Sequence, residues 1–277
     1  MRRSLGSAAD FQPTTFPGQG EELARKAALS GYDVVAAAGG DGTVHEVANG
    51  LLRAGRSEVA LAIVPIGSAN DYAFSLGLPD GWWPAGPVRR RPVDVGLVRS
   101  GSRMRHFING LGLGFNGAVT MEARRIKHLQ GVPLYVLGLL RALLFRFQRP
   151  NMVVRLDESV ERRTPTLALT LALGRREGNF VVAPDAEVDD GLFDYVHAGS
   201  LSRLALLRFL PRLITGRLPT HPAVWRGRCR RATVRSEEPL VIHLDGEFFC
   251  QPREGIRAVE VEILPAALSV LVPAGKL

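Results

Sequence analysis

The chain has 277 residues, 46% of them apolar and 22% charged, which excludes a disordered or fibrous protein and allows one large or two ordinary globular domains. Its formal net charge of +8 favours an anionic partner, whether a phosphorylated substrate, an acidic lipid or a nucleic acid, and does not choose among them. Only two cysteines, Cys229 and Cys250, are present, too few to staple a chain of this length, so free thiols in a reducing cytoplasm are expected.

Met1–Gly18 reads as a loose start; Arg2-Arg3 has no apolar core behind it, unlike a signal peptide. Gly20–Ser30 has helical spacing and stops at Gly31. Tyr32–Ala38 reads as a strand, and Thr43–Ala54 as a helix with Val44, Val47, Ala48, Leu51 and Leu52 on one face. Val59–Pro65 reads as a strand and Ser68–Leu76 as a short helix. This alternation predicts an α/β N-terminal domain built on a parallel, doubly wound sheet. Pro79–Pro92, rich in Pro, Gly and Trp and ending in Arg89-Arg90-Arg91, reads as the boundary. Domains are expected at 1–92 and 93–265, with 266–277, including a strand at Leu268–Val272, able to complete the first.

After the boundary the pattern changes to short strands: Val93–Arg99, Met104–Asn109, Met152–Asp157, Thr166–Leu173, Phe180–Ala183, Leu192–His197, Arg231–Ser236, Leu240–Leu244 and Ala258–Leu264. They predict a mostly-β C-terminal domain, a sandwich. Two helical stretches interrupt it: Val119–Phe147, broken near Gly131-Val132-Pro133, and Ser202–Gly216, with Pro211 as a kink. The longest apolar run, Val132–Phe147, is interrupted by Gly138 and Arg141 and falls short of the roughly 20 residues of a membrane span. A membrane role is therefore expected to be peripheral. Arg89–Arg91 suits a solvated linker or an anionic bilayer; the Leu- and Arg-rich Ser202–Arg217 could lie on a bilayer or pack on the sandwich.

Chemistry concentrates in two strand-to-helix turns, Gly39-Gly40-Asp41-Gly42-Thr43 and Gly67-Ser68-Ala69-Asn70-Asp71. In a parallel sheet such turns share one edge, so two helix N-termini with free amides would face one crevice and suit phosphate. Gly39, Gly40 and Gly42 let the backbone approach a ligand. Thr43 with Glu46, and Ser68 with Asp71, have capping-box spacing. Asp41 and Asp71 would stand where a Mg²⁺ held through water could use them.

Two further acidic turns follow. Pro184–Gly191 carries Asp185, Glu187, Asp189 and Asp190, oxygen ligands suited to a hard cation, though not at EF-hand spacing. Leu244-Asp245-Gly246-Glu247 sets two carboxylates on a tight turn, and either could act as general base toward a hydroxyl. Seen alone, that turn also reads as an Asx turn with a solvated glutamate. The six histidines have no zinc-ligand spacing. No aromatic platform or recognition motif accompanies the positive charge, so a nucleic-acid partner is not expected.

In this order, Gly39–Leu51 (GGDGTVHEVANGL), Pro65–Asp71 (PIGSAND), Pro184–Leu192 (PDAEVDDGL) and Leu244–Glu247 (LDGE) resemble the diacylglycerol kinase catalytic-domain family, in particular its bacterial lipid kinases and their sphingosine kinase-like relatives. GGDGT alone is shared with NAD kinases and phosphofructokinases; four ordered motifs span nearly the whole chain from about Thr15. The resemblance implies an ATP- and Mg²⁺-dependent lipid kinase that phosphorylates a hydroxyl of diacylglycerol or a related lipid, with ATP between the two domains. It places ATP on Thr15, on Gly39, Gly40, Asp41, Gly42, Thr43, Val44, His45 and Glu46, and on Gly67, Ser68, Asn70 and Asp71. It places Mg²⁺ on Glu187, Asp190 and Leu192, the last through its carbonyl, and makes Glu247 the proton acceptor with Asp245 beside it. It further implies a cytoplasmic protein that meets its lipid substrate at a membrane surface, and it allows a homodimer.

Three positions depart from the family pattern. His45 stands for a common Asn and Ser68 for a common Thr. The family's opening Asn-Pro-x-[Ser/Gly]-Gly loop has no counterpart before Thr15. Two other readings stay open: a catalytically inactive relative that binds lipid or nucleotide, and an NAD kinase, against which the second acidic motif and the LDGE turn speak.

Overall fold

The computed structural model describes residues 9–275 other than 80, 85, 130, 160 and 215–219. The two apolar runs form parallel strands, β1 (Val34–Gly39) and β2 (Ala60–Pro65), paired from Val34↔Ala60 to Gly39↔Pro65. Helices α1 (Gln19–Leu29) and α2 (Asp41–Ala54) bury Ala24, Ala28, Val44, Val47, Ala48 and Leu51 in the core over these strands. The two helices meet backbone to backbone at Gly50, where a Cβ would lie 2.3 Å from the Glu21 carbonyl oxygen. Only glycine allows that approach. Helix α3 (Asp71–Ser75) is shorter than the Ser68–Leu76 expected, because Asn70 takes a left-handed φ of 51° and starts the helix late.

The long strands β3 (Val88–Ser100) and β16 (Ala258–Pro273) run antiparallel from Arg99↔Glu260 to Val88↔Pro273, with a register shift between Leu264 and Leu268. The far half of β16 pairs parallel with β2 at Ser269↔Ala60; its near half pairs antiparallel with β13 (Arg231–Ser236). One eight-stranded sheet therefore passes through both domains. It continues from β13 to β6 (Asn151–Leu156) and β7 (Arg162–Pro165), while β3 and β4 (Arg103–Phe107) branch from β16. The stretches 258–264 and 268–272, expected as two strands, are one strand bent where Ala266 adopts φ 52°. The 92/93 boundary lies inside β3.

This corrects the reading of Arg89–Arg91 as a linker: all three are strand residues, and Arg90 and Arg91 have acceptors beside them. Arg91 forks onto Asp189 at 2.7 and 2.8 Å, and Arg90 donates to the carbonyls of Glu58 and Asp33.

The second sheet is antiparallel, in the order β12 (Val224–Cys229), β11 (Phe193–Ala198), β8 (Ala168–Ala172), β5 (Gly110–Gly114), β14 (Ile242–Leu244) and β15 (Glu247–Cys250). It closes a sandwich whose core includes Val98, Phe107, Leu171, Phe193, Val234 and Ile242, with the rings of Phe107 and Phe193 stacked at 5.7 Å. Both cysteines lie buried and free there, burial pushing each thiol up to about 12. β5 escapes sequence reading because Gly-Leu-Gly-Leu-Gly lacks β-branched residues; β8 and β14 on either side supply its partners.

In place of one interrupted helix over 119–147 stand α4 (Phe115–Ala123) and α5 (Gly131–Phe145). With α6 (Arg203–Ile214) they form a satellite core around Phe115, Leu143 and Leu167. The end of the expected Ser202–Arg217 stretch, at 215–219, lies outside the described residues. Among the described residues no helix is long and apolar enough to cross a membrane.

Candidate active site

β1 and β2 end side by side, so the two glycine turns meet. A Cβ on Gly67 would lie 2.3 Å from the Cα of Gly40, and the Ile66 amide donates to the Gly39 carbonyl at 3.2 Å. From an extended Gly40 the chain enters α2 at Asp41. The Val44 amide is the first to bond back along the helix, to the Gly40 carbonyl at 3.1 Å. The amides of Asp41, Gly42 and Thr43 therefore stand at the helix N-terminus without helical partners, at the positive end of the dipole.

The second turn differs from expectation. Its Gly67 amide donates to Asn70 Oδ1 at 3.0 Å, and the Tyr72 amide donates to Asp41 Oδ1 at 3.1 Å. The first turn thus caps the second helix. Neither capping box forms. Glu46 instead accepts the Gly18 and Gly20 amides at 2.7 and 2.9 Å, capping α1 from α2. Asp71 accepts the amides of Gly178 and Asn179 at 2.5 and 3.1 Å and stands 3.2 Å from Arg176 Nε. In both places tertiary packing brings a more demanding set of unsatisfied amides than the local helix offers. The Gly178 and Asn179 amides belong to the turn of the hairpin β9 (Arg176–Glu177) and β10 (Phe180–Val181). Burial, then the charge of Asp41, pushes Asp71 up to about 6 against the pull of the Asn179 amide and Arg176. Asp41 is raised by burial as well, with Asp245 adding to the effect.

Of the other positions expected on the nucleotide, Val44 is buried beneath the first turn and Ser68 is exposed. Thr15 is exposed, its amide and hydroxyl both donating to Gln19 Oε1 at 2.6 and 3.1 Å.

The opposite wall comes from the turn between β14 and β15. Asp245, at φ 51°, is buried; its Oδ1 accepts the Asn109 and Gly110 amides, each at 2.9 Å. Its Oδ2 accepts the Ile108 amide at 3.0 Å and lies 2.8 Å from His45 Nδ1. His45 Nε2 faces two donors, Arg105 Nε and Asn49 Nδ2, each at 3.3 Å, which assigns the ring proton to Nδ1. Burial alone would raise the Asp245 carboxyl; His45 and the amides hold it below its ordinary value. Glu247 is different. It is half-exposed, and its Oε1 stands 3.4 Å from where a Cβ on Gly42 would be. The structure thus brings Glu247 to the open amides of α2. Arg124 Nη2, at the end of α4, holds the same oxygen at 2.7 Å. No motif marks Arg124 in the sequence.

On the acidic loop, Glu187 is exposed and the Gly191 amide donates to Asp94 Oδ2 at 2.6 Å. Asp190 Oδ1 accepts the Leu192 amide at 3.0 Å; its Oδ2 is buried without a hydrogen-bond partner, 3.5 Å from Arg228 Nη1. These oxygen donors suit a hard cation. Among the described residues no three His, Cys, Asp or Glu side chains are gathered as a metal group.

Beside the cleft lies a cavity of about 180 Å³ walled by Phe115, Val119, Leu139, Leu167, Phe180 and Phe209. Asn116 and Thr120 of α4 also line it, and Arg124 follows one turn later, so α4 leads from the cavity to Glu247.

Residues 2–98 match the model of the diacylglycerol kinase catalytic domain, and residues 110–272 match that of the YegS C-terminal NAD kinase beta sandwich-like domain. A protein of Pseudomonas aeruginosa PAO1 named "Probable lipid kinase YegS-like" is 33% identical over 287 residues, covering 99% of this chain and 88% of the relative. The protein named diacylglycerol kinase of Bacillus subtilis strain 168 is 29% identical over 250 residues, covering 88% and 80%. A crystal structure of a diacylglycerol kinase from Bacillus anthracis str. Sterne shares the fold, with a TM-score of 0.67 at 19% identity over 93% of this chain and 82% of that one. The α/β domain with its glycine turn and the β-sandwich facing it correspond to these two matched domains. The chain belongs to the diacylglycerol kinase catalytic-domain family.

Proposed function

We propose that this chain transfers the γ-phosphoryl group of ATP to a hydroxyl of diacylglycerol or a related lipid. One observation carries the reading: Glu247 Oε1 comes within 3.4 Å of where a Cβ on Gly42 would stand, at the N-terminus of α2, and its partner Arg124 lies one turn beyond Thr120, which lines the apolar cavity. In this reading the Asp41, Gly42 and Thr43 amides hold the nucleotide's phosphates. Thr15, the rest of Gly39–Glu46, and Gly67, Ser68, Asn70 and Asp71 frame the nucleotide. Glu247 takes the proton of the acceptor hydroxyl. Asp245, its oxygens committed to three amides and His45, is the weaker base and serves to position the turn. Phosphoryl transfer depends chiefly on such positioning and charge stabilisation. Glu187, Asp190 and the Leu192 carbonyl are the residues that would hold Mg²⁺, whose charge would offset that of the phosphates.

The lipid would arrive from a membrane surface. On α5, Leu144 and Phe145 are 66% and 73% exposed beside Arg141 and Arg146; on α6, Leu204 is 56% exposed next to Arg203. Apolar side chains interleaved with arginines suit the headgroup boundary of an anionic bilayer.

The test is a kinase assay with labelled ATP and Mg²⁺ on vesicles containing dioleoylglycerol, with NAD as a parallel acceptor. Label should enter the lipid and not NAD, and Glu247→Ala should reduce it at least about 100-fold, the scale of a lost general base. Full activity in Glu247→Ala rejects its role. Retained ATP binding with no labelled product supports an inactive relative.

A further inference from the structure

We propose that Glu177 selects the acceptor: it receives a second hydrogen-bond donor, a hydroxyl or an ammonium, on a single-chain lipid whose other hydroxyl is phosphorylated. The inference rests on the lipid-kinase reading and narrows it.

Volume limits the number of chains. An engineered cavity of about 150 Å³ takes one benzene. The cavity here is only slightly larger, about 180 Å³, and so admits a segment of one hydrocarbon chain rather than two side by side.

Polarity singles out one wall residue. Asn116 and Thr170, both lining the cavity, bond to each other, Asn116 Nδ2 donating to Thr170 Oγ1 at 2.7 Å. Glu177 is only half paired. Its Oε1 lies 2.8 Å from Nε2 of the buried His243, while its Oε2 is buried with no hydrogen-bond partner. Of the nearby cations, Arg176 is engaged by Asp71 and Arg124 by Glu247. A buried carboxylate oxygen left unpaired is costly, and a donor on the occupant of the cavity relieves it.

Position gives the third argument. Glu177 precedes Gly178, whose amide is held by Asp71 of the second glycine turn. His243 lies on β14, which leads into the turn bearing Glu247. A lipid with its tail in the cavity and its reacting hydroxyl at Glu247 therefore carries its head past Glu177. Diacylglycerol has one hydroxyl, the reacting one, and offers Glu177 only ester oxygens. A monoacylglycerol or a sphingoid base offers a donor.

The experiment measures kcat/KM for 1-oleoylglycerol, sphingosine, 1,2-dioleoylglycerol and oleyl alcohol in the same mixed micelles. Oleyl alcohol has one chain and no second donor, so it separates chain number from recognition. The wild type should favour 1-oleoylglycerol or sphingosine over the other two by about tenfold or more, and Glu177→Leu should erase that ratio. Glu177→Gln, nearly isosteric, should keep a preference for 1-oleoylglycerol if a hydroxyl is read, and lose a preference for sphingosine if an ammonium is read. Thermal melting and ATP binding establish that the variants are folded. An unchanged ratio in Glu177→Leu, or a wild type that favours dioleoylglycerol, overturns the role of Glu177 and leaves the kinase reading standing. Phosphate transfer to none of the four overturns both.

Discussion

His45 Nδ1 donates to Asp245 Oδ2 across 2.8 Å, and this buried pair fastens the first glycine-turn helix to the turn that carries Glu247. Residues 200 positions apart in the chain thus set the width of the cleft. His45→Leu leaves Asp245 with backbone amides alone. We expect a loss of about 1–3 kcal/mol in urea unfolding, the cost of a broken buried hydrogen bond. Because Glu247 lies two residues on, kcat should fall more than the KM for ATP rises. His45→Asn, which can still donate, should recover part of both.

The contact between the glycine turns separates two substitutions that look alike. In Gly67→Ala the new Cβ meets the Cα of Gly40 at 2.3 Å, so backbone must move; stability should drop by about 1–3 kcal/mol and ATP binding with it. In Gly42→Ala the Cβ meets only Glu247 Oε1, at an ordinary 3.4 Å. That variant should melt like the wild type yet lose turnover, since the methyl stands between the amides and Glu247. Calorimetry paired with turnover distinguishes the two outcomes.

Asp71 makes stability depend on pH in a stated direction. Its folded value of about 6 lies above the ordinary 3.8, so the folded state holds a proton that the unfolded state has released. Stability from this group therefore falls as pH rises from about 4 to about 6 and is flat above. Asp245 and Glu122, held low, act the other way, and their contribution is lost as pH falls. The stability difference between wild type and Asp71→Asn isolates the group. It should shrink by about 3 kcal/mol between pH 4 and 7, at roughly 1.4 kcal/mol per unit.

Glu122 is 1% exposed and meets Arg125, Arg141 and Arg146 at 2.9, 3.0 and 2.8 Å. It is the counter-charge that lets α5 dock on α4. Glu122→Gln leaves three partly exposed arginines around a neutral amide, and about 1–3 kcal/mol of stability should be lost with the charge-assisted hydrogen bonds. Denaturant unfolding measures it.

The sequence alone determined β1, α2 and β2 and the glycine turn that follows each strand, because apolar periodicity and glycine act within a few residues. It also located the acidic turn at Asp245–Glu247, and the four ordered motifs identified the family. It misjudged the caps: Glu46 serves α1, Asp41 serves α3 and Asp71 serves the hairpin after Arg176. A carboxylate binds whichever unsatisfied amides the fold brings near, and spacing along the chain does not record that. Asp245 and Glu247, alike in spacing, differ in burial: one carboxylate is sealed among three amides and His45, the other faces Gly42 and Arg124. Arg124, the cavity and the continuous β16 likewise arise only where segments remote in sequence pack together. Local pattern sets which elements form; long-range packing sets which of their polar groups are spent on structure and which remain for chemistry.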